Sequence, residues 1–534
     1  MSWLNMGEML RVNAAKFPDK MAVKGIAVKG GFGELSFAQY NEKACRLANA
    51  WRDLGLQRGD RISALLCNVM EYMEIYAAAA KVGVVIVPIN FRCVGPEIEY
   101  VVSNSDSKAF ICSAEFLDEV ESIKRSFGQV DSGRFVFVGD EDKTPEGYLN
   151  YEAIIAAASS QEPDVRVNHK DTWIQLYTSG TTGRPKGVVR SHESYIAFFL
   201  INEVDFGFNE NDIGMVVMPL CHVNSTFYSF VFTYIGAGVY IHRATKYNPE
   251  ELLGIIDRER VTFTSLVPTH YILMLNLPRE VIARYDTGSM RKLLISSAPA
   301  RRETKLGVME MFPNAELYEA YGSTEAGLVT LLKPHEQLTK LGSIGRCCAG
   351  TDLIKLLDDD GNEVPVGQVG ELYSRGPMMF DEYWKMPEAT AKAFRGEYFT
   401  ARDMAYQDKD GYLYIVDRKD NMIITGGEKV YPSEVEKTVG SHPDVLDVAV
   451  IGMPHKKWGE AVTAFVIPRD PDNPPAEEEI IAFCQGKLAS YKRPKSVHLI
   501  PQEEMPRTAT GKILHRVLRE RCADTSSDRT SLKA

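Results

Sequence analysis

Apolar and polar residues follow two different periods in the first third of the chain. Residues 6–16 and 38–54 carry apolar side chains three and four positions apart, which predicts two amphipathic helices. A third helix is predicted over 71–81. Short apolar runs bounded by turn residues predict buried strands, at 61–66, 84–87, 109–112 and 134–138. This alternation predicts a layered α/β domain with parallel strands.

The alternation continues beyond this region. Further short apolar runs predict strands at 173–177, 215–219, 293–297 and 317–321. Between 342 and 384 the chain becomes rich in Gly and Pro around short apolar runs, which predicts a small β subdomain.

A charged run, Asp417–Asn421, precedes a second apolar core and marks a predicted domain boundary. Beyond it, Ser433 and Glu436 have the spacing of a capping box, which predicts the start of a helix. Two strands and a helix are predicted next, at 445–451, 461–466 and 476–488. The predicted fold class is α/β. A large N-terminal domain of layered α/β subdomains plus a β subdomain is predicted over residues 1–419, and a small C-terminal α/β domain over 420–522. Residues 523–534 are predicted to form a disordered polar tail.

Composition narrows the class of protein. At 534 residues the chain is too long for a single core of about 250–300 residues. A formal net charge of −11 argues against a general nucleic-acid binder. The nine cysteines are scattered, apart from Cys347-Cys348, which indicates reduced thiols in a cytoplasmic compartment and no zinc site. No apolar run reaches the ~20 residues of a membrane span, and the charged N-terminal segment is not a signal peptide.

Residues 177–187 combine glycines, hydroxyl side chains and one lysine between two predicted strands. Glycine allows close approach of the backbone to a ligand, and successive N–H groups and hydroxyls form a donor surface for phosphate. Lys186 adds a mobile positive charge. The segment is not a Walker A loop, because Lys186 is followed by Gly187 and an apolar pair. Composition alone leaves phosphate binding and a simple linker equally open.

A second polar segment, Tyr321-Gly322-Ser323-Thr324-Glu325, follows a predicted strand. Tyr321 offers a ring face, Thr324 a hydroxyl, and Glu325 a hard oxygen ligand for Mg²⁺. A solvated surface acid is the alternative for Glu325. His222, at the end of another strand, is by itself more typical of a core histidine than of a ligand-pocket residue.

Taken in order, these segments and two later ones resemble the signature motifs of the adenylate-forming superfamily, and of AMP-forming acyl-CoA synthetases in particular. The later ones are Asp403 with Arg418, and Pro506-Arg507-Thr508-Ala509-Thr510-Gly511-Lys512. The resemblance covers nearly the whole chain. It implies the acyl-CoA synthetase fold with a mobile C-terminal domain, the substrates ATP and coenzyme A, and Mg²⁺.

The resemblance also implies residue roles. Catalytic residues would be Lys512, Lys186, Glu325 and His222, with Glu325 as the metal ligand. The nucleotide would be bound by Thr178, Ser179, Gly180, Thr181, Thr182, Gly183, Lys186, Ser297, Ala298, Pro299, Glu319, Ala320, Tyr321, Gly322, Ser323, Thr324, Asp403, Arg418 and Lys512. The acyl pocket would be lined by His222, Val223, Asn224, Thr226, Phe227, Gly322 and Gly327. Asp420 would be the hinge, and Gly426, Gly427 and Glu428 would contact coenzyme A.

The segment Thr400-Ala401-Arg402-Asp403 departs from the family pattern, which has Thr-Gly before this aspartate. Ala401 and Arg402 stand in their place, so a bulky cation replaces glycine near the expected nucleotide. Asp403 keeps its implied role at the ribose.

The implied activity is the ATP-dependent joining of a carboxylic acid to coenzyme A through an acyl adenylate. The segment from His222 to Thr226 lacks an Asp–Lys pair for an amino acid, which favours a monocarboxylic fatty, alicyclic or aryl acid. An adenylation enzyme loading a carrier protein in trans and a luciferase-like oxygenase are the alternatives. A non-catalytic homologue is disfavoured because Lys186, Glu325 and Lys512 are all present. The resemblance leaves a homodimer open.

Overall fold

The computed structural model describes residues 5–178, 184–243, 247–507 and 513–530, with side chains up to residue 522. The chain forms two compact units. The first contains the residues up to Ile354 together with Ser374–Ala401, and the second contains Lys355–Tyr373 together with the residues from Arg402 onward.

The first unit contains two large sheets. The nine-stranded sheet has the strand order Arg346–Cys347, Gly327–Leu332, Glu316–Ser323, Lys292–Ile295, Phe263–Leu266, Ile213–Val216, Gly238–Ile241, Met21–Ile26 and Phe32–Ser36. The eight-stranded sheet has the order Glu382–Tyr383, Lys186–Ser191, Thr172–Thr178, Val85–Ile89, Arg61–Leu65, Ser107–Ser113, Phe135–Val138 and Leu149–Asn150. Both sheets are parallel in their centres, which confirms the predicted layered α/β architecture. The nine-stranded sheet is antiparallel at both ends, and the eight-stranded sheet is antiparallel at the end formed by Glu382–Tyr383, Lys186–Ser191 and Thr172–Thr178.

Helices cover these sheets. The α-helices of the first unit are Met6–Lys16, Phe37–Asp53, Met70–Val82, Gly95–Ser105, Leu117–Ile123, Tyr151–Ala157, His192–Phe206, Val223–Ile235, Pro249–Glu259, Pro268–Leu275, Arg279–Ile282, Arg302–Met311 and Pro387–Ala393. The helix Phe37–Asp53 shows how sequence sets these elements. Ser36 accepts the backbone N–H of Gln39 in a capping box, and Tyr40 and Trp51 are buried on its apolar face. No helix in the described part of the chain is both long and apolar enough to cross a membrane.

The second unit contains a four-stranded sheet and a five-stranded sheet. The four-stranded sheet has the order Lys355–Leu357, Gly370–Tyr373, Asp403–Gln407 and Leu413–Arg418. The other has the order Glu428–Val430, Ile423–Thr425, Gly459–Pro468 and Val445–His455, with Ser496–Leu499 also paired to Gly459–Pro468. Its α-helices are Pro432–Val439, Glu477–Phe483 and His515–Thr530, and the last includes part of the predicted tail.

Three predictions of local structure were wrong. The strand predicted over 215–219 is Ile213–Val216, and the chain turns at Pro219 before the helix that starts at Val223. The helix predicted over 476–488 ends at Phe483, ahead of Gly486 with φ +75°. The stretch 342–384 does not form one β subdomain, because Gly370–Tyr373 joins the four-stranded sheet while Glu382–Tyr383 joins the eight-stranded one.

The capping box predicted at Ser433 is also wrong. Pro432 is the first residue of the helix, and the Ser433 hydroxyl donates to the Val416 carbonyl. Glu436 accepts the backbone N–H of Val450 at 2.8 Å instead of reaching back to the helix start. Tertiary partners therefore replace the local pairing.

A fully buried histidine makes the stability of the first unit depend on pH. His192 stacks on Trp173 with ring centroids 5.4 Å apart, and neither ring nitrogen has a hydrogen-bond partner among the described residues. Burial lowers the pKa of His192 to about 3. Histidine in an unfolded chain has a pKa near 6.5, so below that value the unfolded chain takes up a proton that the folded protein does not. The free energy of unfolding therefore has its full value above pH 6.5 and decreases as the pH falls toward 3.

We therefore expect His192→Phe to gain stability relative to the wild type on acidification. The free energy of unfolding of the variant minus that of the wild type should increase by about 2 kcal/mol when the pH is lowered from 7 to 5. Urea unfolding of both proteins at the two pH values measures it, with the largely exposed His335→Phe as the control. A difference that does not change with pH would contradict the expectation.

Candidate active site

The two strands around the predicted phosphate loop form an antiparallel hairpin. Thr172–Thr178 pairs with Lys186–Ser191, and Thr178 lies opposite Lys186 at the mouth of the loop. Thr178 is therefore the last residue of one strand and Lys186 the first residue of the other, so both strands extend further toward the loop than the sequence predicts. Ser179, Gly180, Thr181, Thr182 and Gly183 lie outside the described residues.

Lys186 and Glu325 are joined through one tyrosine. The Lys186 ammonium lies 4.6 Å from the centroid of the Tyr383 ring. The Tyr383 hydroxyl donates a 2.9 Å hydrogen bond to Oε1 of Glu325. Because Tyr383 is buried, its ring and hydroxyl fix the two ionised side chains relative to each other. A cation and a carboxylate thus meet beside the predicted phosphate loop.

Tyr321, Gly322 and Ser323 end the strand Glu316–Ser323, and residues 324–326 make the tight turn to the strand Gly327–Leu332. The pairing of these strands shifts register at Gly322. A Cβ atom at Gly322 would lie 2.1 Å from the carbonyl oxygen of Gly327, so only glycine fits there. The Ser323 hydroxyl accepts the backbone N–H of Ala326 at 3.0 Å. Tyr321, Thr324 and Glu325 remain partly accessible at this turn.

Ser297, Ala298 and Pro299 form an exposed bend after the strand Lys292–Ile295. Ser297 has φ +70°, a strained value for a residue with a side chain. The bend is followed by Ala300, whose backbone N–H points to Oε1 of Glu319 at 3.4 Å. A local strain of this kind is typical of ligand-binding segments.

The Glu319 side chain faces the interior. Its Oε2 lies 2.5 Å from the ammonium of Lys305, and both side chains are buried. Burial raises the pKa of Glu319, and Lys305 offsets that effect in part. Glu319 therefore links the bend at Ala300 to the helix Arg302–Met311, and its neighbour Ala320 continues the strand toward Tyr321.

Five of the seven residues predicted to line the acyl pocket lie at the start of one helix, and the other two, Gly322 and Gly327, lie on strands. His222 is the N-cap of the helix Val223–Ile235, and burial lowers the pKa of its imidazole to about 4, so the ring is neutral near pH 7. Asn224 donates to the hydroxyls of Ser265 and Ser296, at 2.9 and 3.2 Å. Val223 also starts this helix.

Two further pocket residues lie deeper in the same helix. The Thr226 hydroxyl is 2.9 Å from that of Tyr195. Phe227 stacks on Phe198 with centroids 3.7 Å apart. Gly327, with φ +73°, would place a Cβ 2.7 Å from that of Met378, so this wall is tightly packed.

In the second unit, Asp403 and Arg418 lie opposite each other on neighbouring strands. Arg418 Nε is 3.0 Å from Asp403 Oδ1. The departure from the family pattern is also visible there. Arg402 adopts φ +66°, the region that glycine favours, and its guanidinium contacts both carboxylate oxygens of Asp420, with Nη2 2.6 Å from Oδ1. The cation therefore binds the predicted hinge residue.

Gly426 and Gly427 form the two-residue turn between the strands Ile423–Thr425 and Glu428–Val430. Both have positive φ, +60° and +86°, as such a turn requires. The Gly426 N–H donates to the carbonyl of Trp458 at 2.7 Å, and a Cβ at Gly427 would meet no atom within 4 Å. Lys512, the last predicted catalytic residue, lies outside the described residues.

Sequence reasoning gave Tyr383 a structural rather than a catalytic role, and assigned no role to Arg190 or Lys305. Tyr383 lies 58 residues after Glu325, in a strand of two residues that gives no periodic signal. Arg190 follows an apolar pair within a strand, and Lys305 lies in an ordinary amphipathic helix. A charged residue at a buried position of a predicted strand was the one available signal for Arg190.

Comparison with known proteins agrees with this geometry. The AMP-binding enzyme family matches residues 10–384, and the AMP-binding enzyme C-terminal domain matches residues 434–512. The long-chain-fatty-acid–CoA ligase FadD13 of Mycobacterium tuberculosis is 34% identical over 98% of this chain and 99% of its own. A feruloyl-CoA synthase of Amycolatopsis is 34% identical over 94% of this chain and 97% of its own.

A solved structure of the ATP-bound protein MatB from Rhodopseudomonas palustris has a TM-score of 0.84 at 30% identity. It matches 97% of this chain and 99% of its own. The motifs, the fold and these matches agree along nearly the whole length, and the chain belongs to the AMP-binding enzyme family, as an acyl-CoA synthetase of the adenylate-forming superfamily.

Proposed function

We propose that this protein is an AMP-forming acid–CoA ligase that activates a monocarboxylic acid with ATP. The observation that carries the proposal is the contact series from Lys186 through Tyr383 to Glu325, beside the hairpin that holds the phosphate loop. It combines a cation for a polyphosphate with a carboxylate for a metal ion. That combination suits transfer between two bound anions, where catalysis is mainly positioning and charge neutralisation.

In the first step, a carboxylate oxygen of the acid attacks the α-phosphorus of ATP, and the bond to the bridging oxygen of the β-phosphate breaks. Pyrophosphate leaves with that electron pair. Lys186 would neutralise the β- and γ-phosphates, and Lys512 would contact both the carboxylate and the α-phosphate. Both lysines lower the repulsion between the reacting anions.

Glu325 fits the role of a magnesium ligand. It is a partly accessible carboxylate with Oε1 held by Tyr383, and Mg²⁺ prefers one or two carboxylates together with substrate phosphates. When bound, the ion would neutralise charge on the phosphate oxygens. Asp403 and Arg418 would contact the ribose, and Tyr321 and Ser297–Pro299 the adenine.

In the second step, the thiol of coenzyme A loses its proton, its sulfur attacks the acyl carbon, and AMP leaves. The resemblance implies that the C-terminal domain moves about Asp420 between the steps and brings Gly426 and Gly427 to the pantetheine arm. The open turn at Gly427 is compatible with such a contact.

The acid that we propose is fatty, alicyclic or aryl. Relatives named for a long-chain fatty acid, ferulate and indoleacetate support an acid of this range. Neutral His222 and the aromatic wall at Phe227 favour an apolar body over a second charged group. The nine free cysteines support a cytoplasmic location.

A panel of carboxylic acids tests the proposal. With ATP and Mg²⁺, pyrophosphate release should depend on a fatty, alicyclic or aryl acid, and thioester should appear only when coenzyme A is added. Lys512→Ala should abolish pyrophosphate release yet still form thioester from a supplied acyl adenylate. Loss of both steps in Lys512→Ala, or acyl transfer to a purified carrier protein but not to coenzyme A, would contradict the proposal.

A further inference from the structure

Arg190 is a fully buried cation in the strand that begins with Lys186. Side chains alternate along a strand, so Lys186, Val188 and Arg190 share one face of Lys186–Ser191. The side chain of Arg190 has no exposed surface. A charged group is rarely buried to this degree unless most of its hydrogen-bond donors are used. In Arg190 both terminal nitrogens have partners, and Nε has none among the described residues.

The guanidinium donates to main-chain carbonyls on both sides of the metal-ligand candidate. Nη1 lies 2.6 Å from the Thr324 oxygen and 3.4 Å from the Glu325 oxygen, and Nη2 donates to the Met378 oxygen. The Glu325 oxygen also accepts the backbone N–H of Phe380 at 2.7 Å. The turn that presents Glu325 is thus held to the segment that leads to Tyr383.

The same guanidinium lies against the predicted acyl pocket. It is 4.9 Å from the centroid of the Phe227 ring and 5.4 Å from that of Tyr195. Phe227 in turn stacks on Phe198. Arg190 therefore touches the turn with Thr324 and Glu325 on one side and the aromatic wall on the other.

We propose that Arg190 is a positioning residue for acyl-adenylate formation. Its side chain holds the Thr324–Glu325 turn at a fixed distance from Lys186 and from the acyl pocket. The inference rests on the proposed ligase function. Five planar donors on one group can hold several carbonyls at once, which a lysine ammonium on a flexible stem cannot do in the same geometry. Displacement of a reacting group by about 1 Å can cost about 100-fold in rate.

Because Arg190 contacts the Thr324–Glu325 turn, its replacement should affect the two half-reactions differently. Forming the adenylate requires Glu325, Thr324 and the bound acid to meet at the α-phosphate. Transfer of an already formed acyl group to coenzyme A does not need the metal-ligand carboxylate. A loosened turn should therefore slow the first step and spare the second.

Arg190→Met, which keeps an unbranched apolar stem without donors, should lower kcat for acid-dependent pyrophosphate release about 100-fold. The Mg²⁺ concentration for half-maximal rate should rise, and thioester formation from a supplied adenylate should stay within about threefold of the wild type. The rate of pyrophosphate release by Arg190→Lys should lie between those of the wild type and of Arg190→Met. Arg134→Met serves as the matched control, because Arg134 also donates to a main-chain carbonyl, that of Leu54, outside the candidate site.

Thermal melting of each variant accompanies the kinetics. If Arg190→Met fails to fold, Arg190→Lys carries the test through the ratio of its two half-reaction rates. Equal losses in both half-reactions, or an unchanged first step, would overturn the inference while the wild-type activity still supports the ligase assignment. Absence of acid-dependent pyrophosphate release in the wild type would instead count against the proposed function itself.

Discussion

Glu325→Gln is expected to lower acid-dependent pyrophosphate release by about 100- to 1000-fold. The substitution keeps the size of the side chain and an oxygen that can accept the Tyr383 hydroxyl at 2.9 Å. It removes the negative charge, and a neutral amide is a weaker ligand for a hard divalent cation. The rate at saturating Mg²⁺ and the Mg²⁺ concentration at half-maximal rate are the two measurements.

Two further variants separate charge from geometry at this position. Tyr383→Phe keeps the ring beneath Lys186 but removes the hydroxyl, so a smaller loss of about tenfold is expected. Glu382→Gln makes the same chemical change at an exposed neighbour of Tyr383 and should behave as the wild type. If Glu325→Gln and Glu382→Gln had the same rate, Glu325 would have no part in the first step.

Gly427→Leu is expected to reduce thioester formation from a supplied adenylate by about 100-fold while adenylate formation remains near the wild-type rate. A leucine side chain would project from an open turn in which a Cβ meets no atom within 4 Å, so it fits the free protein but would obstruct the pantetheine arm. Separate assays of the two half-reactions measure the effect.

Backbone strain is the competing explanation, because Gly427 has φ +86°. Gly486 provides a matched control in the same unit, with φ +75° and equally open surroundings. Gly486→Leu should lose a similar amount of stability, about 1–2 kcal/mol, with both half-reactions intact. Equal damage to both steps in Gly427→Leu would contradict a role confined to coenzyme A.

The sequence predicted the layered α/β architecture because that architecture follows from local periodicity. The helix Phe37–Asp53 has its own capping box and apolar face, so a short window of sequence determines it. The strands around residues 177–187 were equally clear, since apolar runs bound a segment of small polar residues. Where a local pattern had a stronger distant partner, as at Ser433 with Val416, the local prediction was wrong.

The site was only partly predictable for a similar reason. Its motifs name Lys186 and Glu325, but nothing in either motif points to the tyrosine that joins them. Tyr383 reaches its place because a two-residue strand pairs with Val188 and Val189 across the sheet edge. The position of the Arg190 side chain is likewise fixed by hydrogen bonds to carbonyls of a turn more than a hundred residues later in the chain. Contacts of such long range leave no periodic trace in the sequence.

The edge strand Glu382–Tyr383 also bears on how the protein is made. Its partner strand, Lys186–Ser191, leaves the ribosome almost two hundred residues earlier. The 2.7 Å hydrogen bond from the Trp384 N–H to the Gly187 carbonyl can form only after those residues have been synthesised. During synthesis the hairpin therefore presents an unpaired edge, which is a site for mispairing and chaperone capture. A nascent chain that stops before residue 380 would contain the loop lysine without the tyrosine beneath it, so nucleotide affinity should arise late in translation.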